Sequence, residues 1–299
     1  MRHTVHLLAL GLAVTPVAGI AAEPVRLAPA GKWAVSYNDD SCRLTRVFGS
    51  GEQATALIFE RFAPGPKFTL MVAGAPLQGI KSERVLFQFG PGKPQLVRFV
   101  KVGALPGYQP ALVVPAMRLA DEEDEKPGAP ASLTQPATPL ARLDADERAI
   151  AKGISWLSVK AGFLDKFVLD LGAMDEPMGA LQACASELIT HWGIDAARHA
   201  DLSRPATPAN SQSGWIANRD YALGLRREGI EGLVHFRLMV DANGAPTSCH
   251  IQSSTRPREF DDLICNNLMR KARFKPALDA KGQPIASYFR STARFDLPN

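Results

Sequence analysis

Signatures of catalysis are missing from this sequence of 299 residues. It has no Gly-x-Ser-x-Gly elbow, no His-Glu-x-x-His zinc helix, and no Gly-rich loop entering a helix through Lys-Ser or Lys-Thr. Neither Cys42 nor Cys249 has a histidine suitably placed to activate it, because His250 adjoins Cys249 and points to the opposite face of a strand. The acidic pairs Asp39-Asp40 and Asp261-Asp262 read as turn and helix-start residues rather than as an acid and base. Aromatic residues make up only 7%, without the interleaving of rings and basic side chains that single-strand stacking needs. A formal net charge of +4 is likewise too small for a nucleic-acid footprint. The reading is therefore of a chain that is not an enzyme, with no cofactor, no metal site and no nucleic-acid partner.

Long apolar runs are scarce too. One near the start, residues 5–22, follows Arg2 and His3, is broken by Thr15, Pro16 and Gly19, and ends on the small residues Ala21 and Ala22. It is shorter than the roughly 20 apolar residues of a membrane span and has the order of a secretory signal peptide. Export to the periplasm with removal of residues 1–22 is expected; the alternative is retention of this segment as an inner-membrane anchor, the one route to membrane contact. Four cysteines in an exported chain suggest two disulfides, since that compartment is oxidising.

Short alternating segments fill residues 33–37, 42–48, 55–62, 68–72, 85–89, 96–102 and 112–117, each bounded by Gly, Pro, Asn or Asp. That spacing predicts a mostly β N-terminal domain over residues 23–200, built as an antiparallel sheet or barrel. The acidic and Pro-rich stretch 120–141 cannot bury enough apolar surface to offset its ordering entropy, and reads as a disordered loop within that domain. Residues 166–171 read as a strand. Asp175 then caps a helix whose Met178, Leu181, Cys184, Leu188 and Trp192 share one apolar stripe. Pro205, Pro208 and their polar neighbours mark a linker over residues 201–214, too short to reach across a periplasm.

Beyond it, residues 221–227 suggest a short helix, and 229–240 a strand with Val234, Phe236, Leu238 and Val240 on one face. Asp241-Ala242-Asn243-Gly244 is a turn sequence, with Thr247, Cys249 and Ile251 alternating along the return strand. Residues 260–272 form a helix carrying Cys265, and 285–295 the last strand. The whole chain is thus α+β, the C-terminal layer being a sheet with helices on one face. A two-residue loop sets Phe236 opposite Cys249 and His235 opposite His250. Cys249 then faces the helix that carries Cys265, which favours the pairs Cys249 with Cys265 and Cys42 with Cys184, against the alternative of four buried thiols. The two imidazoles lack a third ligand, so a metal is not expected.

The tract Tyr221, Gly229, Gly232, Val234, Val240-Asp241, Gly244, Ser253-Ser254, Asp261, Arg273-Phe274-Lys275-Pro276-Ala277 and Gly282-Gln283-Pro284 resembles the C-terminal domain family of TonB, over residues 215–299 only. Ala222 stands where that family often has Pro, and no Gly follows Ser254. The resemblance implies an envelope domain of energy transducers that grips an outer-membrane receptor by pairing an edge strand with a receptor segment. On this sequence the last strand is the candidate edge, with Tyr288, Arg290, Thr292 and Arg294 on its outer face. The same arginines also suit a protected, solvated edge. Three functions follow as alternatives: a component of energy-coupled transport, a periplasmic adaptor using the same edge without energy transduction, and a hydrolase hidden in the N-terminal domain.

Overall fold

The computed structural model describes residues 24–78, 84–97, 101–120, 140–161, 167–216, 224, 227–228, 232–254 and 258–295. The expected leader of residues 1–22, the acidic stretch between residues 121 and 139, and most of the helix expected at residues 221–227 lie outside the described residues. Strands dominate, with helices at intervals, and the class is α+β.

Among the described residues, eleven strands belong to the N-terminal part: β1 (Val25–Leu27), β2 (Ala34–Tyr37), β3 (Cys42–Phe48), β4 (Thr55–Arg61), β5 (Phe68–Gly74), β6 (Val85–Phe89), β7 (Gln95–Val97), β8 (Lys101–Leu105), β9 (Tyr108–Met117), β10 (Trp156–Ala161) and β11 (Phe167–Asp170). Helices α1 (Leu140–Lys152), α2 (Asp175–His191) and α3 (Ala196–Ala200) accompany them. The strands form a six-stranded sheet in the order β2-β3-β4-β5-β9-β8 and a five-stranded sheet in the order β1-β11-β10-β6-β7. Alternation along each strand sends one set of side chains into a shared core. Leu44, Phe48, Phe59 and Phe68 come from the first sheet, and Phe87, Phe89, Leu157 and Val159 from the second. Every pairing is antiparallel except β1 with β11, which is parallel. A parallel neighbour needs a long crossover, and here the rest of the N-terminal part lies between the two strands.

Helix α2 closes this core. Met178, Leu181, Cys184 and Leu188 are buried on its inner stripe, as the spacing predicts. Asp175 is the first residue of the helix and not its cap, since Met174 holds that position without a side-chain bond. A disulfide ties Cys42 at the start of β3 to Cys184. Beside it, Arg61 at the end of β4 is wholly buried, donating to Gln182 of α2 at 2.6 Å and pairing with Glu147 of α1. Desolvation raises the Glu147 carboxyl, and the guanidinium opposes that shift.

The C-terminal part contains β12 (Thr207–Pro208), β13 (Gly232–Val240), β14 (Pro246–Ser254), β15 (Phe274–Lys275), β16 (Ala277–Leu278), β17 (Pro284–Ile285) and β18 (Ser287–Phe295), with helix α4 (Arg258–Lys271). Its main sheet has the order β14-β13-β18. A second core joins Val234, Phe236, Leu238 and Phe289 of that sheet to Ile264 and Leu268 of α4.

Residues 201–214 are bound along this second core. Leu202 and Ala206 are buried in it, and β12 pairs with β15. Ser203 N and Arg204 donate to the carbonyls of Leu278 and Pro276, and Ala209 N donates to Arg273 O at 2.7 Å. Asn210 Nδ2 donates to Lys271 O at 2.8 Å. The prolines that mark a linker in the sequence here suit a short edge strand, where a missing amide hydrogen costs nothing.

Candidate functional site

The hairpin that builds the C-terminal sheet has a longer loop than its sequence suggests. Asp241 Oδ1 accepts from the amides of Asn243 and Ala245, while Asp241 N donates to Ala245 O. Gly244 takes φ +84, and a Cβ there would lie 2.0 Å from the carbonyl oxygen of Phe274. Only glycine permits both the backbone angle and the approach. The longer loop sets Val240 opposite Pro246, and a bulge between Met239 and Val240 adds a second residue, so Phe236 faces Ile251, Leu238 faces Cys249 and Arg237 faces His250. His235 is set opposite Ser253, which separates the two imidazoles that a two-residue loop would have paired. At Cys249 the loop and the bulge together shift the register by two residues, so this cysteine keeps the face toward α4 and is bonded to Cys265.

Strand β18 runs antiparallel to β13, from Val240 opposite Ser287 to Gly232 opposite Phe295. It lies at the end of the three-stranded order, and no strand of the described residues lies along its other side. Phe289 and Ala293 point into the second core. Tyr288, Arg290 and Thr292 point to the face away from α4, as expected, but this face is not open to solvent. Tyr288 is 1% exposed and Arg290 7%, while Thr292 is half-buried. Arg294 belongs to β18 by its backbone, and its side chain lies outside the described residues.

The N-terminal part covers that face. Tyr288 packs edge-on against Trp192, with ring centroids at 5.1 Å, and stacks on His199 at 5.3 Å. Ile189, Ile194 and Ala63 complete this small cluster. The guanidinium of Arg290 lies 5.3 Å from the Phe62 ring and donates through Nε to Gln252 Oε1 at 2.6 Å. Gln252 in turn donates to the carbonyls of Asp40 and Phe62. Arg237 of β13 lies over the Trp192 ring at 3.9 Å and donates to Asp40 Oδ1 at 2.7 Å. His235 stacks on Phe62 at 5.1 Å, and its Nδ1 contacts Thr292 Oγ1 at 2.9 Å. At the margin, Arg198 holds Asp279 through two nitrogens, at 3.2 and 2.5 Å.

Burial governs the electrostatics of this layer. Desolvation pushes His235 down to about 3, with Arg290 adding to the effect, and pushes His199 down to about 4. Arg290 falls to about 10 for the same first reason. Arg237 is lowered by desolvation and raised again by Asp40. Asp279 is held below the ordinary carboxylate range, chiefly by the hydrogen bonds from Arg198.

Residues 217–297 match the family model described as Gram-negative bacterial TonB protein C-terminal. The C-terminal part is TonB-like. The match takes in the hairpin, α4 and β18, and does not extend to the β-rich N-terminal part. Comparison with curated proteins finds no match. Among the described residues no helix is long and apolar enough to cross a membrane, and no group of three or more His, Cys, Asp or Glu is placed to hold a metal ion.

The sequence pattern brought out the edge strand and both cysteine pairs. It missed Asp40, Phe62, Trp192, Arg237 and Gln252, which meet only when the two parts dock. Arg237 carried a signal, as a charged residue that, with His235, interrupts a largely apolar strand.

Proposed function

We propose that this is an exported, TonB-family envelope protein, not an enzyme, whose C-terminal part binds another polypeptide by strand addition along β18. The observation that carries the reading is the terminal place of β18 in a TonB-like sheet. Main-chain groups on such an edge supply affinity to an extended segment, and the flanking side chains supply choice. Tyr288, Arg290 and Thr292 act here from beneath, by fixing β18 against the N-terminal part, so that recognition by side chains falls to the rim. The partner is a protein segment, such as a periplasm-facing stretch of an outer-membrane receptor. Two domains serve this purpose, and the membership of Leu202 and Ala206 in the second core supports a boundary before Leu202.

An adaptor without energy transduction is the second reading, and a specific observation favours it. The segment that would serve as a spacer is fastened to the C-terminal part by β12 and by the bonds of Ser203, Arg204 and Ala209. A transducer has to reach across the envelope, whereas this segment holds the sheet close to the N-terminal part.

Site-specific photocrosslinking in intact envelopes tests both readings. A photoreactive residue at Ser291 on β18 is expected to give a discrete protein adduct, and one at Thr247 on β14 none. Equal labelling at both positions would remove the case for β18. Adduct formation that persists after collapse of the proton gradient supports the adaptor, and its loss supports the transducer.

A further inference from the structure

Two histidines lie where the N-terminal part meets the C-terminal sheet, and both touch β18. His235 is sandwiched between Phe62 of the N-terminal part and Thr292 of β18. His199, in α3, stacks on Tyr288 and contacts Ser287 Oγ through Nε2 at 2.8 Å. Each ring is buried, at 5% and 1% exposure. We propose that this interface is a proton-sensitive latch centred on His235, closed while the imidazole is neutral and released when it takes up a proton.

The charges around His235 are already unbalanced toward positive. From β18 it meets Arg290, whose guanidinium shares the Phe62 ring with it. From its own strand comes Arg237. From β14, the residue opposite is the neutral Ser253. The carboxylates nearby are Asp40, which is bonded to Arg237, and Glu60 of β4, which accepts from Ser41 and Arg43. A third cation therefore enters a layer whose anions are engaged. Ring stacking on Phe62 adds little for a new cation, because the same ring already serves Arg290.

Around His199, Tyr288 and Ser287 of β18 are neutral, and the adjacent Arg198 is paired with Asp279. Protonation there places a cation beneath the Tyr288 ring, and the layer loses its second neutral contact.

The magnitude follows from linkage. With His235 at about 3 in the closed state and near its ordinary value of about 6.5 when solvated, the closed-to-open ratio falls about 300-fold by pH 4. His199, at about 4 when closed, contributes about 150-fold at the same pH. The folded values are depressed, so the closed state is fully favoured above about pH 6.5 and loses ground as pH falls toward 4. The Cys42–Cys184 and Cys249–Cys265 bonds each lie within one part, so neither resists the separation.

Small-angle X-ray scattering of the full chain between pH 7.5 and pH 4, with far-UV circular dichroism on the same samples, tests the latch. The expected result is an increase in radius of gyration as pH falls, with the dichroism unchanged. In His235→Gln the transition is expected to lose about half of its pH dependence on a logarithmic scale, because His199 still contributes its share. His199→Gln, tested separately, reduces that dependence in part and serves if the first variant does not fold. Wild-type protein that stays compact to pH 4 overturns the proposal. So does expansion that accompanies loss of the dichroism, or a His235→Gln profile that matches wild type.

Discussion

Replacing Asp40 with alanine probes the docked interface at its most asymmetric point. The Arg237 side chain is 5% exposed, while that of Asp40 is 29% exposed. Asp40→Ala leaves a buried guanidinium against the Trp192 ring without its carboxylate, and the Nε of Arg237 already has no hydrogen-bond partner among the described residues. Removing one partner of a fully buried pair costs about 3–5 kcal/mol. Partial exposure of this pair lets water reach the orphaned cation and reduces the expected loss to about 2–3 kcal/mol. Arg237→Met has a different consequence, since the freed Asp40 can hydrate and a thioether packs well on an indole; about 1 kcal/mol is expected. The double variant Asp40→Ala with Arg237→Met should recover most of the loss caused by Asp40→Ala alone. Urea denaturation followed by circular dichroism and tryptophan fluorescence measures all four corners of this cycle. Equal losses for the two single variants, or a double variant less stable than Asp40→Ala, would refute the account of Arg237 as a buried cation held by one carboxylate.

Other consequences concern the frame of the sheet. Gly244→Ala forces a Cβ onto the Phe274 carbonyl at a positive φ, and should cost more than about 3 kcal/mol, seen as loss of the C-terminal unfolding transition. Replacing Cys249 and Cys265 together by serine removes a cross-link of sequence separation 16 and should lower stability by about 3 kcal/mol. The same change at Cys42 and Cys184, with separation 142, should cost about 4–5 kcal/mol, and peptide mapping without reductant should recover these two pairs and no cross-pairs. A fragment of residues 214–299 lacks Leu202 and Ala206 and should melt at lower temperature than residues 195–299, by an amount reflecting about 2–4 kcal/mol.

Much of the frame was legible because it depends on local patterns. Alternation located β3, β4, β5 and β6 almost to the residue, since each has one face in a core and punctuation at its ends. The Cys249–Cys265 disulfide was legible through parity, and Cys42–Cys184 then followed as the remaining pair, with Cys184 on the inner stripe of α2. The hairpin register differs by two residues from a two-residue loop, yet an even shift keeps Cys249 on the face that α4 covers. The error lay in the turn, where the Asp241 side chain organises a wider loop, and in the bulge beside it between Met239 and Val240, which Asn243 and Gly244 do not announce by themselves.

What the sequence did not disclose arises from packing between parts. Tyr288, Arg290 and Thr292 alternate outward exactly as a solvated face would, and nothing in their order distinguishes water from the rings of Phe62 and Trp192. Residues 201–214 have the composition of a linker, but Leu202 and Ala206 are spaced to enter a core while Pro208 lies on an edge. Helix α1 went unread because the acidic and Pro-rich stretch before it masks the start of its pattern, and its buried anchor is the Glu147 pair with Arg61 rather than an apolar stripe.

Strand addition at β18 has a direct test in amide hydrogen exchange, measured on the full chain alone and with the polypeptide captured at Ser291. Slower exchange confined to residues 287–295, with β14 unchanged, is the predicted result. Protection that falls on β14, or on the N-terminal sheets while β18 stays as it was, would contradict it.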